Sequence, residues 1–291
     1  MDHSMSYEQY IELLNKEAVL AECGPMHLVI RAWRNGRPQT GLAVGAAGKA
    51  FTYLERIAGL RSELSRPLTI IEIPPGIDPL AGKMAGSVCA VGDDDLTPMA
   101  AVAGTIADAV ADWLFERGAT RVIVDNGGDI AIRLSGDETA AVGIRPRVGS
   151  REISHVLQLN SSRGSWGVTT SGCGGRSFTR GIASAVTTLA ASASVADAAA
   201  TAIANACYVE DPGIIQVPAD QVDPETDIPG VRVTLTVGLL SRGKKRLAVN
   251  RALAKADQLL RKDIIAGALV VLEDIFVATG AMNEIGLAAA A

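Results

Sequence analysis

Three short segments, far apart along the chain, place small residues and oxygen-bearing side chains where an apolar element ends or begins. They are residues 124–130 (VDNGGDI), 169–175 (TTSGCGG) and 196–202 (ADAAATA). Such junctions let backbone approach backbone or ligand closely and leave N–H groups free to bind it. Three of them constrain the chain to tightly packed elements and point to one shared small-molecule site. The composition requires the same close packing. Aromatics are only 4% of the 291 residues while hydrophobics are 48%, so the core is built from Ala, Val, Leu and Ile. With 20% charged residues the chain is globular rather than disordered. Its length admits one large domain or two intimately packed ones.

The formal net charge is −5, and the one dense basic block, residues 242–246 (RGKKR), reads as a solvated turn before a helix. No basic face is available to neutralise phosphates, so nucleic acid is not an expected partner. The first residues, MDHSMSYEQYIELL, lack a basic stretch followed by an apolar one. No uninterrupted apolar run reaches the ~18 residues of a membrane span. The expectation is a cytoplasmic protein without a membrane partner. Cys23, Cys89, Cys173 and Cys207 form no Cys-x-x-Cys pair, which disfavours zinc and predicts free thiols. Cys173, in a Gly-rich turn, is the one expected to be exposed.

Asn35-Gly36 between apolar runs at 26–33 and 37–45 predicts a two-residue hairpin. A helix is predicted over about 49–64, a strand over 68–73 and a helix over about 79–89. Thr97 is read as an N-cap with Pro98 at the first helical position, and Gly118 as the stop after about Arg117. The small, apolar run 99–104 predicts a helix that packs its backbone against sheet or ligand. Further strands are expected at 121–124, 130–133, 139–145, 153–159, 184–190, 231–237 and 264–271. Helices are expected near 195–208 and 247–261, with Pro- and Asp-rich loop over 212–229. The irregular alternation and the hairpins indicate an α+β, mixed α/β fold rather than a doubly wound parallel sheet.

Within 124–130, Asp125 and Asn126 can bond locally and Gly127 and Gly128 permit positive φ, which alone describes a tight turn. The functional alternative has the two glycines presenting backbone to a ligand, with Asp129 as acceptor, base or cation ligand. In 169–175, Thr170, Ser171, Gly172, Cys173 and Gly174 suit either an anion-binding nest or a flexible surface loop. Arg176 and Arg180 follow and can neutralise a carboxylate or phosphate. Asp197 and Thr201 stand at i and i+4, so both oxygens share a helix face and suit Mg²⁺. On spacing alone the stronger reading puts Asp197 in the first turn, where a negative charge favours a helix N-terminus. Histidine is scarce, so Asp129, Asp197 or Cys173 are better acid–base candidates than imidazole.

In this order, VDNGGDI, TTSG and ADAAATA resemble the flavin transferase (ApbE-like) superfamily. A branch of it is more similar still, on residues 97–104 (TPMAAVAG), 176–178 (RSF), 181–183 (GIA) and 217–230; the likeness covers about 65–270. The resemblance implies a scaffold of mixed, largely antiparallel sheets packed by helices. It forms a single unit over 1–291 or two packed subdomains of about 20–135 and 136–275. It also implies Mg²⁺-assisted transfer of FMN from FAD to a protein Thr or Ser, with Asp197 and Thr201 in metal-ligand positions. The chain departs from the transferases between residues 173 and 195, which hold neither the His nor the Asp-Pro of their His-x-x-Asp-Pro-x-Thr-Gly segment.

The first expectation is therefore a hydrolase or lyase acting on a compact carboxylate- or amide-bearing metabolite. Asp129 would be base or anchor, and Cys173 or Ser171 the nucleophile. Asn126, Gly127, Gly128, Thr170, Gly172, Gly174 and the helix turn at Met99 would line the pocket, with Arg145, Arg176 or Arg180 opposite the anion. The alternatives are a Mg²⁺-dependent FAD:protein FMN transferase or FAD hydrolase, and a non-enzymatic flavin or metabolite binder. The scarcity of aromatics counts against a stacking site for the flavin ring. Small residues and a hydrophobic majority suit a homo-oligomer, whose symmetry the sequence does not fix.

Overall fold

A computed structural model describes residues 7–67, 76–147, 149–175 and 177–290. The strand expected at 68–73 and Arg176 lie outside the described residues. The chain begins with an antiparallel meander, β1 (Tyr10–Asn15), β2 (Ala18–Cys23) and β3 (Met26–Arg34), and the two-residue β4 (Arg37–Pro38). Asn35 (φ 49°) and Gly36 (φ 75°) turn β3 into β4, and both central residues have the positive φ a tight hairpin needs. The apolar run 37–45 is nonetheless not a strand. Helix α1 (Thr40–Ala58) starts inside it, because Ala43, Ala46, Ala47, Ala50, Phe51 and Ile57 recur at helical spacing and are buried together. The single turn α2 (Arg61–Leu64) follows.

Helix α3 (Pro79–Val91) starts as its sequence prescribes, with Pro79 at the first position and the Asp78 carboxylate accepting from Leu80 N at 2.8 Å. Thr97 makes no side-chain cap. Instead a 3-10 turn over Pro98–Ala101 leads into α4 (Val102–Phe115). The stretch Pro98–Phe115 is long and apolar enough by length and composition to cross a membrane. Here it is a core element carrying Asp108 and Asp112.

The chain continues through β5 (Arg121–Asn126), β6 (Asp129–Leu134), β7 (Thr139–Ile144), β8 (His155–Asn160), β9 (Ser165–Ser171) and β10 (Ala185–Ala190). Helix α5 (Ala193–Ala206), the hairpin β11 (Ile214–Pro218) and β12 (Arg232–Val237), and α6 (Arg242–Arg261) follow. Last come β13 (Gly267–Leu272), β14 (Ile275–Ala278), α7 (Gly280–Ile285) and β15 (Leu287–Ala289). Three expectations are corrected. The stretch 212–229 expected as loop holds β11. The basic run 242–246 is the first turn of α6, capped by Ser241, whose hydroxyl accepts from Lys244 N. Residues 169–171, the start of the stretch read as an anion-binding nest or flexible surface loop, are the end of strand β9.

One antiparallel sheet runs β1-β2-β3-β5-β6-β9-β10-β13-β14, with β4 beside β3. Successive side chains alternate between its two faces. Val122, Val124, Ala131, Val186 and Val270 face a helical layer in which α4 and α5 pack together. Ile132, Leu134, Trp166, Val168 and Leu189 face the other way, onto Val142, Leu157 and Leu159 of a three-stranded sheet ordered β15-β8-β7. The molecule is thus an α+β stack of helices, large sheet and small sheet, with antiparallel strand pairing.

Candidate functional site

The site is built where α4 and α5 cross on the helical side of the large sheet. Gly104 makes the crossing possible. A Cβ there would lie 2.3 Å from the Ala193 carbonyl oxygen, so the two backbones touch. At this contact Gly104 N donates to Asp197 Oδ2 at 3.0 Å. Asn126, the last residue of β5 and of the same parity as Val122 and Val124, donates from Nδ2 to Ala103 O at 3.2 Å. Thr188 Oγ1 donates to Ala196 O at 2.6 Å and lies 3.3 Å from Thr169 Oγ1. The end of β5, the middle of β9 and β10 and the starts of α4 and α5 therefore meet at this crossing.

Asp197 is the fifth residue of α5, and the first turn holds no acid. The reading of Asp197 as a charge at its own helix N-terminus is thereby replaced: its carboxylate serves the start of α4. Burial raises its pKa to about 7; the Gly104 N–H pulls it back in part, and the charge of Asp108 pushes it up further. Among the described residues no ion pair engages it. Thr201 lies one turn on, its hydroxyl donating to Asp197 O at 3.0 Å.

A buried ionic network underlies this corner. Asp108 is fully buried and accepts from Ala193 N and Ser194 N, each at 3.0 Å, so it caps α5 from below. Arg133 Nη2 reaches it at 2.9 Å, Lys83 Nζ at 3.1 Å, and Arg133 Nε also holds Asp112 at 2.7 Å. Burial alone would push Asp108 up, but Arg133, Lys83 and the Ser194 N–H outweigh it and leave its pKa below the ordinary carboxylate value. The sequence reading passed over this network. Its signal was an acid inside an otherwise small, apolar helix, matched by an arginine on the helix-facing parity of β6.

The other expected site residues divide between the layers. The stretch 126–129 is the β5–β6 hairpin turn, with Gly127 at φ 67° and Gly128 at φ 110°. Gly128 N donates to Asp125 Oδ1 at 2.8 Å, so this N–H closes the turn. Asp129, paired with Asn126 in register, is half-buried and shares the parity of Ala131 and Arg133. Ser171 ends β9, 7% exposed, on the parity of Gly167 and Thr169. Thr170 points to the opposite face, its hydroxyl 2.8 Å from that of Thr187. Arg145 follows β7, exposed, in the small-sheet layer. Neither of these two joins the corner. Gly172 lies against β10, where a Cβ would meet Ser184 O at 2.8 Å. Cys173 N donates to Ala183 O at 2.8 Å, and Gly174 turns the chain at φ 84°. The Cys173 thiol is half-buried rather than exposed, and burial pushes its pKa up, offset in part by the Gly174 N–H. Met99, in the 3-10 turn, packs against the main core. Arg180 pairs with Asp95 at 2.9 Å near the far end of α5.

A family model described as AbpE bacteria matches residues 11–284. The chain belongs to this AbpE family. Among curated relatives, the UPF0280 protein of Methanococcus vannielii is 40% identical over 142 residues, covering 47% of this chain and 56% of that one. The UPF0280 protein of Archaeoglobus fulgidus is 44% identical over 108 residues, covering 37% and 43%. The chain spans about half the length of the curated relatives it matches. A mutant of the flavin transferase ApbE from Vibrio cholerae is similar in fold, with a TM-score of 0.50 at 13% identity, covering 96% of this AbpE chain and 99% of that one. The ApbE-like fold expected from the three motifs is therefore present.

The crossing gives a direct test. Gly104→Ala in this AbpE protein should cost about 1–3 kcal/mol or more, because the methyl meets backbone that cannot rotate away. A thermal melt followed by circular dichroism should show a midpoint lowered by roughly 5 °C. An unchanged midpoint would mean that the two helices are not in contact at this point.

Proposed function

We propose that this protein binds FAD with Mg²⁺ at the Asp197 corner and passes the FMN part to a hydroxyl acceptor, releasing AMP. The observation that carries the reading is Asp197 itself, a carboxylate raised to about 7, set at the start of α4 and paired with no Lys or Arg among the described residues. Its surroundings fit Mg²⁺. Asp197 and Thr201 offer hard oxygens on one helix face. No group of three or more His, Cys, Asp or Glu side chains gathers among the described residues, so water and ligand oxygens would complete the shell. Bound there, Mg²⁺ supplies charge neutralisation to a pyrophosphate.

In the reaction the acceptor oxygen bonds to the FMN phosphorus as the bond to AMP breaks, and the acceptor loses its proton. Asp129, paired with Asn126 on the helix side, takes the role of base. The hydrolase or lyase reading gives way to this one. Family membership and a fold shared with a flavin transferase support the flavin reading, and a thiol raised by burial makes Cys173 a poor nucleophile near neutrality. A cytoplasmic setting belongs to the proposal and suits four free cysteines.

Purified protein incubated with FAD should release AMP when Mg²⁺ is present. Release should stop with EDTA and in Asp197→Asn, as read by chromatography and mass spectrometry of nucleotide and protein. Absence of AMP with Mg²⁺, or release that ignores Asp197→Asn, would reject the proposal.

A further inference from the structure

Helix α5 is buried on nearly every side. Apart from Val195 and the terminal Ala206, the residues that keep some exposure are Asp197, Thr201 and Asn205, and past the helix end Tyr208 does the same. The two spacings of four residues put Asp197, Thr201 and Asn205 in one row, and Tyr208 follows the C-cap Cys207. At 1.5 Å per residue the row runs about 12 Å from Asp197 to Asn205. The row starts at the Asp197 corner. At its other end a cavity of about 410 Å³ opens among Arg180, Asn205, Tyr208, Gln216, Val231 and Arg232. That volume lies within the range of small-molecule sites.

The cavity's polar groups are held in place by their surroundings. Asn205 Oδ1 accepts from Arg180 N at 2.9 Å and Thr179 Oγ1 at 3.2 Å, while its Nδ2 makes no hydrogen bond among the described residues. Arg180 O accepts from Gln216 Nε2 at 2.7 Å and Thr234 Oγ1 at 3.1 Å, which pins this residue between α5 and the β11–β12 hairpin. The guanidinium groups have light duties. Among the described residues, Arg232 donates to the Gln216 carbonyl and the Arg180 guanidinium holds only Asp95, whose side chain is 65% exposed. A bridge that open is worth about 0–1 kcal/mol and exchanges easily. Nor do the two arginines cap α5. Cys207 N bonds the Ile203 and Ala204 carbonyls, Ile182 N bonds that of Cys207, and Arg251 bonds that of Tyr208.

We infer that this cavity binds an oxyanion, carboxylate or phosphate, at the far end of the acceptor. Two forked guanidiniums and a free carboxamide donor suit such a group, and Tyr208 and Val231 cover the carbon chain that follows it. The acceptor of this protein is then a small molecule. Its anionic end is held here, and its hydroxyl reaches along Thr201 towards Asp197. The identity of the acceptor rests on the flavin reading; the anion subsite does not.

The test uses the full chain without metal or FAD, titrated calorimetrically with inorganic phosphate and, separately, with glutarate. Saturable binding is expected, weakened at least tenfold in Arg180→Gln/Arg232→Gln and unchanged in Asp197→Asn. Asp95→Asn should tighten it by freeing Arg180, a gain that misfolding cannot produce. Binding of phosphate alone assigns a phosphate-bearing ligand, of glutarate alone a carboxylate-bearing one, and of both a general oxyanion site. Binding of neither, indifference to the arginine pair, or no gain in Asp95→Asn overturns the subsite. AMP release from FAD without anion binding would remove the subsite and leave the flavin reading intact. Anion binding without AMP release would do the reverse.

Discussion

Asp108→Ala is expected to destabilise the fold by about 3–5 kcal/mol, the usual cost of removing one partner from a buried ionic network. Arg133 is only 6% exposed and would keep its charge without its main counter-ion, and the Ala193 and Ser194 N–H groups would lose their acceptor. Urea unfolding at neutral pH measures the loss; a change below about 1 kcal/mol would mean that water replaces the carboxylate cheaply. The sign of the pH dependence follows from its lowered pKa. Asp108 contributes stability above its unfolded value of 3.8, and that contribution fades as pH falls through the lower, folded value.

Asp197 has the opposite sign. Its folded pKa of about 7 lies above the unfolded 3.8, so between these values the folded chain holds a proton that the unfolded chain releases. Stability should fall as pH rises from about 4 to 7 and level off above. At about 1.4 kcal/mol per unit, the total is at most about 4 kcal/mol. Asp197→Asn should remove this slope, melting above the parent at pH 8 and close to it at pH 4. Mg²⁺ favours the ionised carboxylate, so it should raise the parent's melting point at pH 8 and leave the variant's unmoved. Parallel pH profiles for parent and variant would show that the Asp197 carboxylate is not raised in the folded chain.

The hairpin of β5 and β6 was readable because a strand-like apolar run meets two consecutive glycines, and α5 because a long alanine run declares it. The segment 37–45 misled because Ala and Gly serve helix and strand alike; only the burial of Ala43, Ala46, Ala47 and Ala50 on one face decides for α1. The β1–β2 hairpin gave little signal, since Lys16-Glu17 turns it without glycine, and every residue of β1 is exposed. The site motifs were visible as motifs, but their facing was not. Thr170 and Ser171 are neighbours in sequence and on opposite sides of the sheet, a difference that only the pairing of β9 with β10 fixes. The arginines at 180 and 232 were out of reach together, because long-range contacts of Asn205 and Gln216 bring them to one cavity.

Where Gly104 meets Ala193 there is no cushion of side chain between the two helices. A shift of either one is therefore handed undamped to the Asp197 carboxylate. The crossing and the carboxylate form a single mechanical part with the sheet beneath. Diversity in ligand preference is left to the cavity lining, where Asn205, Tyr208 and Arg232 stand away from that joint.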